Sequence, residues 1–396
     1  MPSYDPIVIV SAARTPIGAF QGDLKDLTSP ELGAAAIRAA IERANIPPEA
    51  VQEVLFGCVL SAGVGQAPAR QAALGAGLPV SAAATTVNKV CGSGMKAVML
   101  VHDLILAGSA QIGLAGGMES MSNAPYLLDR ARTGYRMGHQ RALDHIFLDG
   151  LEDVYDKGKL MGSFAEKCAQ TYSFSRKEQD AYAITSLTRA QRAIADGTFA
   201  AEITPVTVRS GKIEREVTTD EQPLKAKLEK IPTLKPAFQS DGTVTAANSS
   251  SISDGAAALV LMRRSEAEQR GLKPLAIVAG HATWAQEPSL FTTAPIGAIR
   301  TLSRRIGWPL ADVDLFEINE AFAVVAMAAM RDLDLPHEKV NIHGGACALG
   351  HPIGASGARI FVTLLYALNK YGLKRGIASL CIGGGEATAV AVERIS

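Results

Sequence analysis

Four segments of this sequence, three of them rich in glycine, carry side chains able to do covalent or acid–base chemistry. Cys91 stands in VNKVCGSGMKA, followed by Gly92, Ser93 and Gly94 and then by Met95, Val98, Met99, His102 and Ile105 at helical spacing. The cysteine sits where a helix begins. Unpaired N–H groups and the positive dipole end there favour a thiolate over a thiol, and the glycines let a substrate carbonyl approach the backbone. That prepares a nucleophile. A buried cysteine in a tight turn is the bland alternative.

The second segment, HGGACALGHPIGASGAR, runs from His343 to Arg359 and places five glycines around His351. So many glycines mark a loop that backbone or ligand approaches closely. His351 precedes Pro352 and a helix expected over 358–368, so it belongs to a loop, where a catalytic role outweighs a structural one. His343 is the poorer candidate.

NEAFA, Asn319 to Ala323, lies between a strand at 315–318 and an apolar helix. Asn319 can cap that helix, or it can hold a water or polarise a carbonyl at the strand's carboxyl end, where open α/β sheets bind ligands. CIGGGEA begins at Cys381. It is either a glycine turn between strands or a thiol acid/base beside N–H donors.

The elements around these segments alternate. Short β-branched runs (7–10, 54–59, 112–114) are separated by helical patterns (30–44, with Ser29 as cap, and 95–107), which implies βαβ units and a largely parallel sheet. From Met121 to Ala247 the character changes to arginine-rich loops and charged helices such as 175–196. The alternation then resumes, at 256–262, 275–280, 315–318, 360–368, 377–382 and 388–392. VNKVCGSGMKAVMLV and GIASLCIGGGEATAV each put a cysteine beside glycines where an apolar segment ends, a weak sign of internal duplication.

Composition narrows the function classes. Thirty-nine basic residues balance thirty-nine acidic ones, so no global field holds nucleic acid or an anionic membrane. The apolar runs are too short to span a bilayer, and the first residues read as a strand rather than a signal, so the expected address is cytoplasmic. The five cysteines are widely spaced without a CxxC pair, which argues against disulfides and structural zinc; Cys58, Cys168 and Cys347 read as packed hydrophobes.

VNKVCGSGMKA, GGMESMS, NEAFA, GGACALGHPIGASGAR and CIGGG occur together and in order, and over essentially the whole chain the sequence resembles the thiolases. The resemblance implies an α/β thiolase-like fold, two duplicated βαβαβ-type halves packed as α-β-α-β-α layers. Residues 1–120 with 248–272 would form the N-terminal half, 273–396 the C-terminal half, and 121–247 an inserted loop domain for coenzyme A and oligomer contacts. It also implies acetyl-CoA C-acetyltransferase activity, the reversible condensation of two acetyl-CoA to acetoacetyl-CoA and CoA, or thiolysis of short 3-ketoacyl-CoA.

By that resemblance Cys91 would be the ping-pong acyl carrier, His351 its base and Cys381 the acid/base for the α-proton. Asn319 would hold a water that works with His351 on one oxyanion, and the N–H groups of Cys91 and Gly383 would stabilise the other. Ser250, Met161, Leu234, Phe238 and Phe322 would line the pantetheine tunnel, with no metal and no tightly bound cofactor. Lysines 225, 227, 230 and 235 could meet the phosphates. The implied assembly is a homotetramer, a dimer of dimers, with 132–141 as a contact. Leu160, FTTAP from Phe291, Leu224 or its neighbour, and Glu386 with Ala387 depart from the family pattern, and the first two bear on the acyl pocket. A decarboxylating ketosynthase would lack Cys381, a CoA-binding relic would have lost Cys91, His351 or Cys381, and a Cys/His metal site would need more ligands at closer spacing.

Overall fold

The computed structural model describes residues 5–211 and 213–395, so that 1–4, 212 and 396 lie outside it. Its first half contains β1 (Ile7–Arg14), α1 (Ser29–Ala44), β2 (Glu53–Gly57), α2 (Pro68–Gly75), β3 (Ala83–Val87), α3 (Ser93–Leu106) and β4 (Ile112–Ser120). The intervening segment holds α4 (Met161–Thr171) and α5 (Arg176–Ala195) among loops and short hairpins. Then come β5 (Ser253–Arg263), β6 (Ala276–Ala285), α6 (Ala294–Ile306), β7 (Leu315–Ile318), α7 (Ala323–Leu333), α8 (Ser356–Lys370), β8 (Arg375–Ile382) and β9 (Glu386–Arg394).

In the first half β1 pairs antiparallel with β5, β5 antiparallel with β4, and β4 parallel with β2, to which β3 adds in parallel. The second half repeats that sequence of pairings: β6 with β9 and β9 with β8 antiparallel, β8 with β7 parallel. Duplication is therefore real, but the two cysteine segments are not its equivalents. VCGSG runs into α3, whereas Cys381 ends β8, whose counterpart by pairing is β4. A short antiparallel contact, Val8 to Ile277 and Ile9 to Ala276, joins the halves.

Three cores give the layering. α1 and α2 cover one face of the first sheet and α6 and α7 the outer face of the second, while α3 and α8 pack between the two. α8 is buried from Ser356 to Leu365, as a helix in a central layer must be. Several ends differ from expectation. The cap of α1 is Thr28, closed by a capping box with Glu31, while the Ser29 hydroxyl accepts from the Ser120 N–H instead. β3 and α2 escaped detection because AATTV and PARQAALG offer no bulky period.

Candidate active site

The chain reaches Cys91 through strain. Val90, a β-branched residue, adopts φ +47°, and the turn closes with Gly92 N–H donating to the Lys89 carbonyl at 3.0 Å and Ser93 N–H to the Val90 carbonyl at 3.1 Å. Ser93 Oγ accepts from Lys89 N–H and donates to the Val90 carbonyl, which locks the bend. Cys91 is thus lifted off the start of α3 into a largely apolar cavity of about 380 Å³. His351, Cys381 and Gly383 line the same cavity.

The expectation of a thiolate fails. Burial pushes the Cys91 thiol up to about 11, against the pull of the N–H groups of Gly383 and Cys91 itself, and the buried Glu119 adds to the rise. Cys91 lies two residues before α3, so the helix end does not offset desolvation. A base is needed.

His351 is fitted for that part. Its Nδ1 lies 2.5 Å from Ser356 Oγ, and that hydroxyl spends its one proton on the Pro352 carbonyl at 2.9 Å. Ser356 can therefore only accept, Nδ1 must carry the hydrogen, and Nε2 is left as a bare acceptor. Among the described residues Nε2 has no hydrogen-bond partner. Burial, reinforced by the charge of Arg359, drops the imidazole to about 3 and keeps it neutral.

Cys381 is buried at the end of β8, and burial, then the neighbouring Cys91, raise its thiol well above the usual value. The φ angles of +92° and +90° at Gly384 and Gly385 turn the chain into β9, which leaves Gly383 N–H near the Cys91 sulfur. Two neutral thiols, one bare imidazole nitrogen and two backbone donors share one cavity.

Family models for the thiolase N-terminal domain and C-terminal domain match residues 7–265 and 272–394. The chain belongs to the thiolase family. It is therefore an acyltransferase, and its α-β-α-β-α fold is the thiolase fold. It is 49% identical to an acetyl-CoA acetyltransferase of Schizosaccharomyces pombe over 98% of this chain and 99% of that one. To the mouse protein named acetyl-CoA acetyltransferase, cytosolic, it is 50% identical, with 98% of each covered. The crystal structure of the Bacillus anthracis acetyl-CoA acetyltransferase superimposes with a TM-score of 0.96 at 40% identity, covering 99% of both chains.

The remaining expected positions divide. Met161, Phe238, Ser250 and Phe322 line the cavity, Leu234 does not, and Leu160 and Phe291, the two departures expected to bear on the acyl pocket, do. The Ser250 hydroxyl is tied to the Ala321 carbonyl at 3.0 Å. Asn319 does not cap α7; Phe322 occupies that position. Its amide is buried instead, and neither Oδ1 nor Nδ2 has a partner among the described residues. His343 lies outside the cavity, beside the Tyr371 hydroxyl at 3.1 Å.

Two carboxylates that the motifs contained, but whose work they did not reveal, hold the site's loops. Glu119 accepts N–H groups from Val59 at 3.0 Å, Leu60 at 3.1 Å and Gly354 at 2.8 Å, fastening the His351 loop to the first half. Burial raises it to about 7. Glu320 accepts from Tyr182 at 2.8 Å, Ser186 at 2.7 Å, Asn341 at 2.8 Å and Cys347 N–H at 3.1 Å, fixing the segment after Asn319. Cys58 and Cys347 are consequently more than packing, since their thiols point at Glu119 and at the Glu320 carbonyl.

Glu386, whose departure from the family pattern had no explanation in the sequence, pairs with Lys89. The pair bridges the turn before Cys91 and the turn after Gly383, the two pieces of backbone whose N–H groups face the Cys91 sulfur. Both partners are partly exposed, so its worth is small. Lys89→Met and Glu386→Gln are each expected to lower kcat by about twofold to fivefold at constant KM, and the double charge swap to regain part of it. Steady-state kinetics check this; a rise in KM alone would place the pair in substrate binding.

Proposed function

We propose that this thiolase is an acetyl-CoA C-acetyltransferase in which Cys91 carries the acetyl group and Cys381 handles the α-proton. The observation that carries this reading is the shared cavity of two high-pKa thiols and a histidine whose free nitrogen is its Nε2. His351 Nε2 takes the Cys91 proton as sulfur attacks the acetyl thioester, with oxyanion charge falling on the N–H groups of Cys91 and Gly383. CoA leaves as a thiolate and takes the proton of Cys381. The Cys381 thiolate then removes the α-proton of a second acetyl-CoA, whose enolate oxygen would be met by His351 and a water on Asn319. The carbanion attacks the acyl-Cys91 carbonyl, acetoacetyl-CoA forms, and the departing Cys91 thiolate recovers its proton from His351.

Each exchange trades one thioester for another, so the acyl-enzyme is not a thermodynamic trap. Direction follows concentration. A decarboxylating ketosynthase has no use for the second thiol, and Cys381 in the cavity favours the thiolase reaction over it.

Ser250, Met161, Phe238 and Phe322 are proposed to flank the pantetheine arm. Lysines 227, 230 and 235, all exposed, stand nearby in sequence for the phosphates, whereas Lys225 is paired with Glu221 and Leu224 is 62% exposed where the family often has Arg. With the bulky Leu160, Phe291, Met121 and Ile353 among the residues lining the cavity, thiolysis of 3-ketoacyl-CoA is expected to peak at C4. By C8 it should fall about tenfold or more. Folded wild-type protein without thiolysis at any chain length from C4 to C10 would sink this assignment.

Assembly as a homotetramer, with residues 121–247 as an inserted unit, remains part of the proposal. β3 leaves one edge of the sheet open, and Tyr126, Leu128 and Met137 are 68%, 60% and 96% exposed on the inserted segment. Light scattering would return a mass four times that of the chain; a monomer would reject it. No described helix is long and apolar enough to cross a membrane, and the name of the mouse relative supports a cytoplasmic address.

A further inference from the structure

Away from the cavity, three side chains from the two halves converge on one point without any part in the chemistry above. His102 and Asp103 lie toward the C-terminal end of α3, and His281 lies in β6. Nδ1 of His102 is 3.0 Å and Nε2 of His281 is 2.9 Å from the same oxygen, Oδ1 of Asp103. The two imidazoles stand at 89° with centroids 5.1 Å apart.

Neighbouring residues on a helix do not normally face one another. Here His102 and Asp103 turn toward a common point that the second half completes. Among the described residues no lysine or arginine pairs with Asp103, so its charge is shared by two imidazoles alone. The three ligand atoms lie within 4.8 Å of one another. Two imidazole nitrogens and a carboxylate oxygen form the donor set that borderline divalent cations prefer, with water completing four-coordination. The His102 and His281 side chains are only 9% and 15% exposed, which shields the centre, while Asp103 at 52% leaves an approach.

We propose that His102, Asp103 and His281 bind a divalent cation of the zinc class, which fastens the far end of α3 to the sheet of the second half. Cys91 is eleven positions from His102, about 16 Å along a helix. The ion would therefore brace the helix that carries the nucleophile and leave the reaction itself alone.

The test is calorimetric titration of chelator-treated, tag-free protein with ZnCl2 in a Cys91→Ala background, which removes the catalytic thiol as a competitor. One equivalent is expected to bind and to raise the thermal midpoint by about 2 °C. Asp103→Asn and His281→Gln should each weaken binding by about tenfold or more. With Cys91 restored, both variants should condense acetyl-CoA within about twofold of wild type. No saturable uptake, or uptake that survives Asp103→Asn, overturns the proposal. Asp103 is half exposed, so that variant should fold and decide the matter even if His281→Gln does not.

Discussion

Cys381→Ala is expected to keep the first half of the reaction and lose the second, whereas Cys91→Ala loses both. The first half, exchange of acetyl between acetyl-CoA and free CoA, needs a nucleophile, a base and an oxyanion site. Its leaving group is a thiolate that water can protonate, so losing Cys381 should slow exchange by only about tenfold. Condensation requires removal of a proton from carbon, for which the cavity offers no second base placed as Cys381 is, and it should fall by about 10⁴-fold. Acetyl should then accumulate on Cys91 and appear in the intact mass. Without Cys91 both activities should drop by about 10⁵-fold or more. Equal loss of exchange and condensation in Cys381→Ala would place Cys381 in positioning rather than proton transfer. Labelled-CoA exchange and acetoacetyl-CoA formation, measured on the same preparations, separate these outcomes.

The residues that meet in the cavity were legible because each announces itself locally. A reactive side chain among glycines, at the end of a strand or the start of a helix, is visible in a window of about ten residues. What holds them in place was not. Glu119 donates nothing to any local period, and its partner Gly354 is 235 positions away. The left-handed Val90 contradicts its own residue type, so the bend that raises Cys91 cannot be read from propensity. The Ser356 hydroxyl that fixes the His351 tautomer looks like an ordinary first-turn residue of α8 until the Pro352 carbonyl is placed beside it.

The same limit explains three errors of substance, the first being the largely parallel sheet expected where most ladders are antiparallel, since strand direction depends on partners far away in the chain. The helix start at residue 93 suggested an anionic sulfur, but the suggestion omitted the desolvation that burial imposes on Cys91, and that effect is larger. The resemblance of VCGSG to CIGGG was chemical rather than topological. One segment turns into a helix and the other into a hairpin, and only the order of pairings in the two sheets shows which strands are true counterparts.

An uncharged resting pair makes the second large prediction, a pH response unlike that of an imidazolium–thiolate couple. With the thiol at about 11 and the imidazole at about 3, Cys91 and His351 should both stay neutral from roughly pH 4 to 10. Iodoacetamide alkylation of Cys91 should climb about tenfold per pH unit from 6 to 9, with no plateau near neutrality. His351→Asn should cut acylation by acetyl-CoA about 10³-fold. It should leave alkylation at pH 10 within about twofold, because hydroxide rather than imidazole then supplies the thiolate. Stability follows from the same shifts with opposite signs at the two ends. An imidazole depressed to about 3 from 6.5 withdraws stability as pH falls below 6.5, since the unfolded chain takes the proton first. A thiol raised to about 11 from 9.0 withdraws it as pH rises above 9, since the unfolded chain releases the proton first. Denaturant titrations should therefore show His351→Asn flattening the acid limb and Cys91→Ala the alkaline one. An alkylation plateau near pH 7, removed by His351→Asn, would instead mean that the site charges itself before substrate arrives.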